Sequence, residues 1–257
     1  MTKTSAVELV VVPCLADNYA FLIHNDDTGE TALVDAPEAA PIQAELTARG
    51  WTLDDITITH HHPDHIGAVD HLRGTARVIG AKADAHRLPK LDVEVAEGDQ
   101  ITVCGQQTHI LDVSGHTIGH IALHMPGAAL AFTADSLMAL GCGRLFEGTP
   151  AQMWDSMQKL RALPDDTLIC SGHEYTAANA RFAASLDPDN PDLISRITRI
   201  EAARAAGQPT VPSTLSEERR TNPFLRADVP AFKATLGMGD VSAVDVFTFV
   251  RAQKDKF

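Results

Sequence analysis

The sequence predicts an α/β body followed by a helical C-terminal part, on three observations. Up to residue 171, short apolar and β-branched runs recur between turn signals, with a few helical stretches among them. After His173 the strand signals stop and helical periodicity takes over. The densest cluster of chemistry-bearing side chains, Thr59-His60-His61-His62-Pro63-Asp64-His65, directly follows one of the apolar runs, Ile56-Thr57-Ile58. It therefore sits where a strand end can hold it rigidly.

Residues 7–12 and 19–23 read as strands, followed by the turn Asn25-Asp26-Asp27-Thr28-Gly29 and a strand over 31–34. A helix is expected over 37–49, with Gly50 as the residue that stops it. Residues 56–58 form a short buried strand, and more strands are expected over 77–79, 101–103, 109–113, 121–124 and 130–132. A helix over 152–163 ends before Pro164, and 168–171 is the last buried strand. Helices over 175–186 and 193–206 follow, with no convincing strand after them. The change of character near Gly172 suggests two domains, 1–172 and 173–257.

A chain of 257 residues can bury a large core. No apolar run approaches the roughly 20 residues of a membrane helix. Met1-Thr2-Lys3-Thr4-Ser5 leads straight into a strand without signal-peptide architecture. The four cysteines, Cys14, Cys104, Cys142 and Cys170, form no C-x-x-C pair, which fits reduced thiols and a cytoplasmic protein. The net charge of −13 is uneven: residues 196–257 carry 10 basic and 7 acidic side chains, and the acid excess lies before them. An acidic body argues against a nucleic-acid partner. The locally basic end suits a small anionic ligand.

In an extended chain, side chains two apart point the same way, so His60, His62 and Asp64 are expected to converge, with His65 following at the turn. Neutral imidazole and carboxylate together suit zinc, iron or manganese. Among the 12 histidines, two more stand in comparable places. His116 lies in Ser114-Gly115-His116-Thr117-Ile118-Gly119-His120, at a glycine-rich turn between strands. His173 follows Leu168-Ile169-Cys170 in Ser171-Gly172-His173-Glu174. Asp135 likewise follows Leu130-Ala131-Phe132. Each lies just past a strand end beside small residues, the layout of a site built from loops on one edge of a sheet sandwich. His61, between two candidate ligands, should point away from them, and His120 reads as a supporting residue. His24, His71, His86, His109 and His124 read as ordinary surface or core histidines.

In order, H-x-H-x-D-H, G-H-T, an Asp after an apolar strand and G-H-E-Y resemble the signature of the metallo-β-lactamase superfamily. The resemblance extends to its glyoxalase II branch, the hydroxyacylglutathione hydrolases. It is carried by Pro13-Cys14-Leu15-Ala16-Asp17-Asn18-Tyr19, Gly141-Cys142-Gly143-Arg144-Leu145-Phe146-Glu147-Gly148, Asn222-Pro223-Phe224-Leu225-Arg226 and Arg251-Ala252-Gln253-Lys254-Asp255. The resemblance implies a four-layer αββα sandwich with a C-terminal helical domain and a dinuclear centre. By resemblance His60, His62 and His116 hold one divalent ion, Asp64, His65 and His173 the other, and Asp135 bridges, with zinc expected and iron or manganese as alternatives. Asp64 and Asp135 are then the catalytic carboxylates, because they hold the ions that activate water. No nucleophilic Ser or Cys is required.

The implied activity is hydrolysis of S-2-hydroxyacylglutathione, such as S-D-lactoylglutathione, to glutathione and D-lactate in methylglyoxal detoxification, by a monomer. The family's substrate contacts map to Arg144, Phe146, Tyr175, Arg251 and Lys254. Arg251 and Lys254, three apart, share a helix face and are expected to be exposed near the chain end. Two positions depart from the family. Phe146 stands where some relatives carry Tyr, and so cannot donate a hydroxyl. Ala134 stands where Gly commonly precedes the bridging Asp, and is expected to be harmless with a negative φ. Two rivals remain: a persulfide dioxygenase-like enzyme with one iron, and a metallo-hydrolase acting on another thioester.

Overall fold

The structure, a computed structural model, describes residues 7–257. The lead-in Met1-Thr2-Lys3-Thr4-Ser5 lies outside them. Packing divides the chain into two compact units, one reaching to Asp112 and including Ile118–Ala134, the other formed by Val113–Thr117 and Asp135–Phe257.

In the first unit, β1 (Val7–Cys14) pairs antiparallel with β2 (Asn18–Asn25), and β2 with β3 (Thr31–Val34). Asn25 closes the β2–β3 turn by accepting from Asp27 N at 3.0 Å, and Gly29 supplies φ 74°. Helix α1 (Ala39–Arg49) ends as expected at Gly50, whose φ of 70° lets Trp51 N reach back to Leu46 O at 2.9 Å. From β3 the sheet continues in parallel through β4 (Asp55–Thr57), β5 (Arg77–Ala81) and β6 (Val93–Val95). Two short helices, α2 (Pro63–Ile66) and α3 (Val69–Leu72), lie between β4 and β5. Leu33, Ile56, Ile58 and Val78 pack with Ile42, Leu46 and Val69 into one apolar cluster.

The same unit holds an antiparallel set, β7 (Gln100–Val103), β8 (Gln106–Asp112), β9 (Ile121–Met125) and β10 (Leu130–Ala134). Phe132 on β10 meets Phe21 on β2 edge-on at 5.6 Å, so apolar faces of the two strand sets meet.

The second unit contains the small ribbon β11 (Leu137–Met138) and β12 (Gly141–Cys142), helix α4 (Pro150–Arg161), and β13 (Leu168–Ser171) paired with β14 (Ser213–Thr214). Its helices are α5 (Thr176–Leu186), α6 (Pro191–Ala205), α7 (Leu215–Thr221), α8 (Pro230–Thr235) and α9 (Ala243–Lys254). Their starts are written locally: Thr149 and Gln152 form a capping box on α4, and Asn190 caps α6 with Pro191 at its first position. β14, at two residues, is a strand where none was expected; pairing with Leu168 and Ile169 makes it one, a tertiary cause with no local signal.

Candidate metal centre

The carboxyl ends of three neighbouring parallel strands build the first unit's share of the site. Past β3 stands Asp35, past β4 the histidine cluster, past β5 the buried Asp84. Side-chain alternation holds only to His62. Pro63 then starts α2, so Asp64 lies in a helical turn and not on the extended chain expected of it, while His65 falls in the turn as expected. The turn still serves the site: His65 N donates to His62 O at 2.9 Å, and the His62 and His65 rings both pack against His60, at 4.7 and 4.2 Å.

His60 Nε2 and His62 Nδ1 stand 3.1 Å apart. Two nitrogens on one tetrahedral zinc would be about 3.3 Å apart, so this spacing fits a shared ion. His65 Nδ1 donates to Asp35 Oδ2 at 2.8 Å, which turns Nε2 toward Asp64 Oδ2 at 3.7 Å. Asp35 is itself locked by Thr59 N at 2.9 Å and Thr59 Oγ1 at 2.8 Å. Asn18 Nδ2 donates to Asp64 Oδ2 at 3.0 Å. His61 turns to Asp84 Oδ2 at 3.0 Å, and the His120 ring stacks on His60 at 4.6 Å.

In the second unit one oxygen gathers two imidazoles. Asp135 Oδ2 lies 3.4 Å from His116 Nε2 and 3.3 Å from His173 Nε2. His116 Nδ1 donates to Arg144 O at 2.8 Å, so its Nε2 carries the lone pair toward Asp135. Gly143 makes this possible. A Cβ there would stand 1.9 Å from Asp135 O and 2.9 Å from His116 Nδ1. These His and Asp groups form a cluster capable of binding metal ions.

The expected substrate contacts gather in the second unit. The exposed Phe146 lies edge-on to His116 at 5.3 Å, and Tyr175 stacks on His173 at 4.7 Å. Arg144 is exposed and pairs with Asp255 at 3.6 Å. Lys254 Nζ points to Ala178 O at 3.4 Å, and its pKa is lowered by desolvation, then by Arg251 and Arg181. Arg251 departs from expectation: it is 6% exposed, not a solvated chain-end residue. Its Nη1 donates to Cys142 O at 2.8 Å and its Nη2 to Asp255 Oδ1 at 3.0 Å. The guanidinium reaches inward because it also stacks over Phe224, 5.1 Å from the ring centre. A second correction concerns Ala134, whose φ is +40°, in the left-handed region that favours glycine.

Sequence reading missed Asp35, Asp84, Gly143 and Asp255. Asp35 carried a usable signal, an acid immediately past a buried strand, the same signal that marked Asp135.

Residues 16–173 match the metallo-β-lactamase superfamily, and residues 174–257 match the family described as hydroxyacylglutathione hydrolase C-terminus. A hydroxyacylglutathione hydrolase of Jannaschia sp. (strain CCS1) is 64% identical over 252 residues, covering 97% of this chain and 98% of that protein. Another, from Ruegeria pomeroyi, is 62% identical over 253 residues, covering 98% of this chain and 99% of its own. Among solved structures, ETHE1 from Myxococcus xanthus superposes with a TM-score of 0.65 at 23% identity, covering 97% of this chain and 98% of that one. At that identity the likeness shows the fold alone.

Proposed function

The chain belongs to the hydroxyacylglutathione hydrolases, the glyoxalase II branch of the metallo-β-lactamase superfamily, and is a thioester hydrolase; we propose how its residues perform that reaction. His60, His62 and His116 would hold one divalent ion, and Asp64, His65 and His173 a second, with Asp135 available to both. Within the first unit, the 3.1 Å spacing of His60 Nε2 and His62 Nδ1 and the approach of His65 Nε2 to Asp64 Oδ2 at 3.7 Å support the assignment. The observation that carries the reading is Asp135, whose single oxygen faces a ring nitrogen of both His116 and His173.

When bound, such a pair of cations lowers the pKa of a shared water and polarises the carbonyl to be attacked. The chain supplies the rest. Asp35 and the Arg144 carbonyl hold the tautomers of His65 and His116, so the ligand nitrogens need no reorganisation. Phe146 and Tyr175 offer ring faces beside His116 and His173 for the thioester. Arg144 and Lys254, with Arg251 behind them, attract the glutathione carboxylates. The departing thiol is acidic enough that no strong general acid is needed.

No cysteine competes as nucleophile. Burial pushes the Cys14 and Cys142 thiols up to about 11 and Cys104 to about 12, and raises Cys170 as well, so all stay protonated. We take zinc as the first candidate ion, a cytoplasmic monomer as the working form, and 172/173 as the boundary between metal-binding and substrate-binding domains. Among the described residues no helix is long and apolar enough to cross a membrane.

The test pairs an S-lactoylglutathione assay, with and without chelator, with metal analysis. It should find about two ions per chain, activity lost on chelation and restored by zinc, manganese or iron. Asp135→Ala should lose both occupancy and turnover. Full turnover by the metal-free chain, or comparable rates on nitrocefin or RNA, would overturn the reading.

A further inference from the structure

Helix α9 carries an acid where a cationic anchor alone would want none. Asp255, its C-cap residue, is one turn beyond Arg251. Its Oδ1 accepts from Arg251 Nη2 at 3.0 Å and stands 3.6 Å from Arg144 Nε. The two arginines differ in freedom. Arg251 is buried and fixed by Cys142 O and the Phe224 ring. The Arg144 side chain is 62% exposed, Asp255 is 42% exposed, and their separation is that of an ion pair without a directed hydrogen bond. Arg144 is thus the half of the arrangement that can leave.

We propose that Asp255 is an internal stand-in for the substrate carboxylate: it holds Arg144 in the empty enzyme, yields it to a glutathione carboxylate on binding, and thereby sets substrate affinity and product release. The proposal rests on the reading of Arg144 as a carboxylate anchor. Two carboxylates around one guanidinium repel each other, so Asp255 and the ligand each weaken the other's hold on Arg144. Binding then exchanges one exposed ion pair for another and gains little. This suits an enzyme whose product, glutathione, keeps the carboxylates that brought the substrate in.

The experiment compares Asp255→Asn, Arg144→Ala and the double variant, measuring KM for S-lactoylglutathione and inhibition by glutathione. The amide oxygen of Asn can still accept from Arg251, so the helix end and the melting temperature should persist. Releasing Arg144 from an exposed pair should lower both KM and the glutathione inhibition constant by about two- to fivefold. Asp255→Ser, which also removes the charge, should move both in the same direction. In the Arg144→Ala background the Asp255→Asn effect should vanish, a non-additive cycle. A KM that rises or stays fixed in Asp255→Asn at unchanged melting temperature overturns the proposal, as does an equal fall in the Arg144→Ala background. If Arg144→Ala alone leaves KM and inhibition unchanged, the anchor reading fails and the proposal with it. Metal-dependent hydrolysis, read in the same assays, stands or falls separately.

Discussion

Gly143→Ala tests the support of the proposed metal ligands without altering one of them. An added Cβ would sit 1.9 Å from Asp135 O and 2.9 Å from His116 Nδ1, where real Cβ contacts stay beyond 3.0 Å. More than an ångström must be found, and little around the residue can give. Gly143 N donates to Ser136 O at 3.0 Å, Arg251 holds the preceding Cys142 O, and His116 bonds the following Arg144 O. The displacement therefore passes into Asp135 or His116. Misplacing a reacting group by about 1 Å costs on the order of 100-fold. Overpacking should in addition destabilise the fold by about 1–3 kcal/mol. We expect kcat/KM for S-lactoylglutathione to fall about 100-fold, with lower metal content and a lower melting temperature. Gly239→Ala is the control, since a Cβ there meets nothing within 4 Å and its φ is not positive. A Gly143→Ala enzyme with full metal content and wild-type kcat/KM would show that this loop does not position the ligands.

Two further outcomes follow from the same geometry. Arg251→Lys keeps the charge but cannot bond Cys142 O and Asp255 together. It should lower kcat and cost about 1–3 kcal/mol of stability, whereas raised KM alone at full stability would make Arg251 a pure substrate anchor. Ala134→Gly relieves a φ of +40° and should stabilise the protein by up to about 1 kcal/mol, read as melting temperature with hydrolysis retained; a clear loss of stability would refute the strain.

The candidate ligands were legible because each stands just past an apolar run, and a run of three to five β-branched or apolar residues is a local signal. Gly50 was legible for the same reason, since it acts on backbone within a few residues, whereas the caps Thr149 with Gln152 and Asn190, equally local, were not read and those helices begin two residues earlier than expected. What else stayed hidden depends on distant partners. Asp35 reaches His65 across 30 positions and Arg251 reaches Cys142 across 109. Its place near the chain end made Arg251 an expected exposed anchor, but a guanidinium with two acceptors and an aromatic face available is more stable inside. Asp64 leaves the alternation for a local reason. Pro63 pre-sets the helical φ, so alternation could not run past His62.

The C-terminal residues of the second unit do more than face a ligand. Asn179 Nδ2 donates to Ala139 O at 3.0 Å, Glu218 Oε2 accepts from Leu140 N at 2.9 Å, and Asn222 Nδ2 donates to Met138 O and Gly141 O at 3.1 and 3.0 Å. With Arg251 on Cys142 O, four buried polar side chains satisfy the backbone of one short segment. A buried ribbon of two two-residue strands cannot meet all of its own hydrogen-bond demand, and each unmet group would cost about 1–3 kcal/mol. Glu218 can be buried there only because Arg196 and Ser213 also bond it. The segment so held runs into Gly143 and Arg144, the two residues that set the place of Asp135 and the tautomer of His116. Helices that served only as a ligand-facing surface would turn their polar groups outward; these turn them onto the segment that leads to Asp135 and His116. The proposed substrate contacts and the proposed metal ligands therefore share one support, and Arg251, bonded to both Cys142 O and Asp255, stands at the joint of the two.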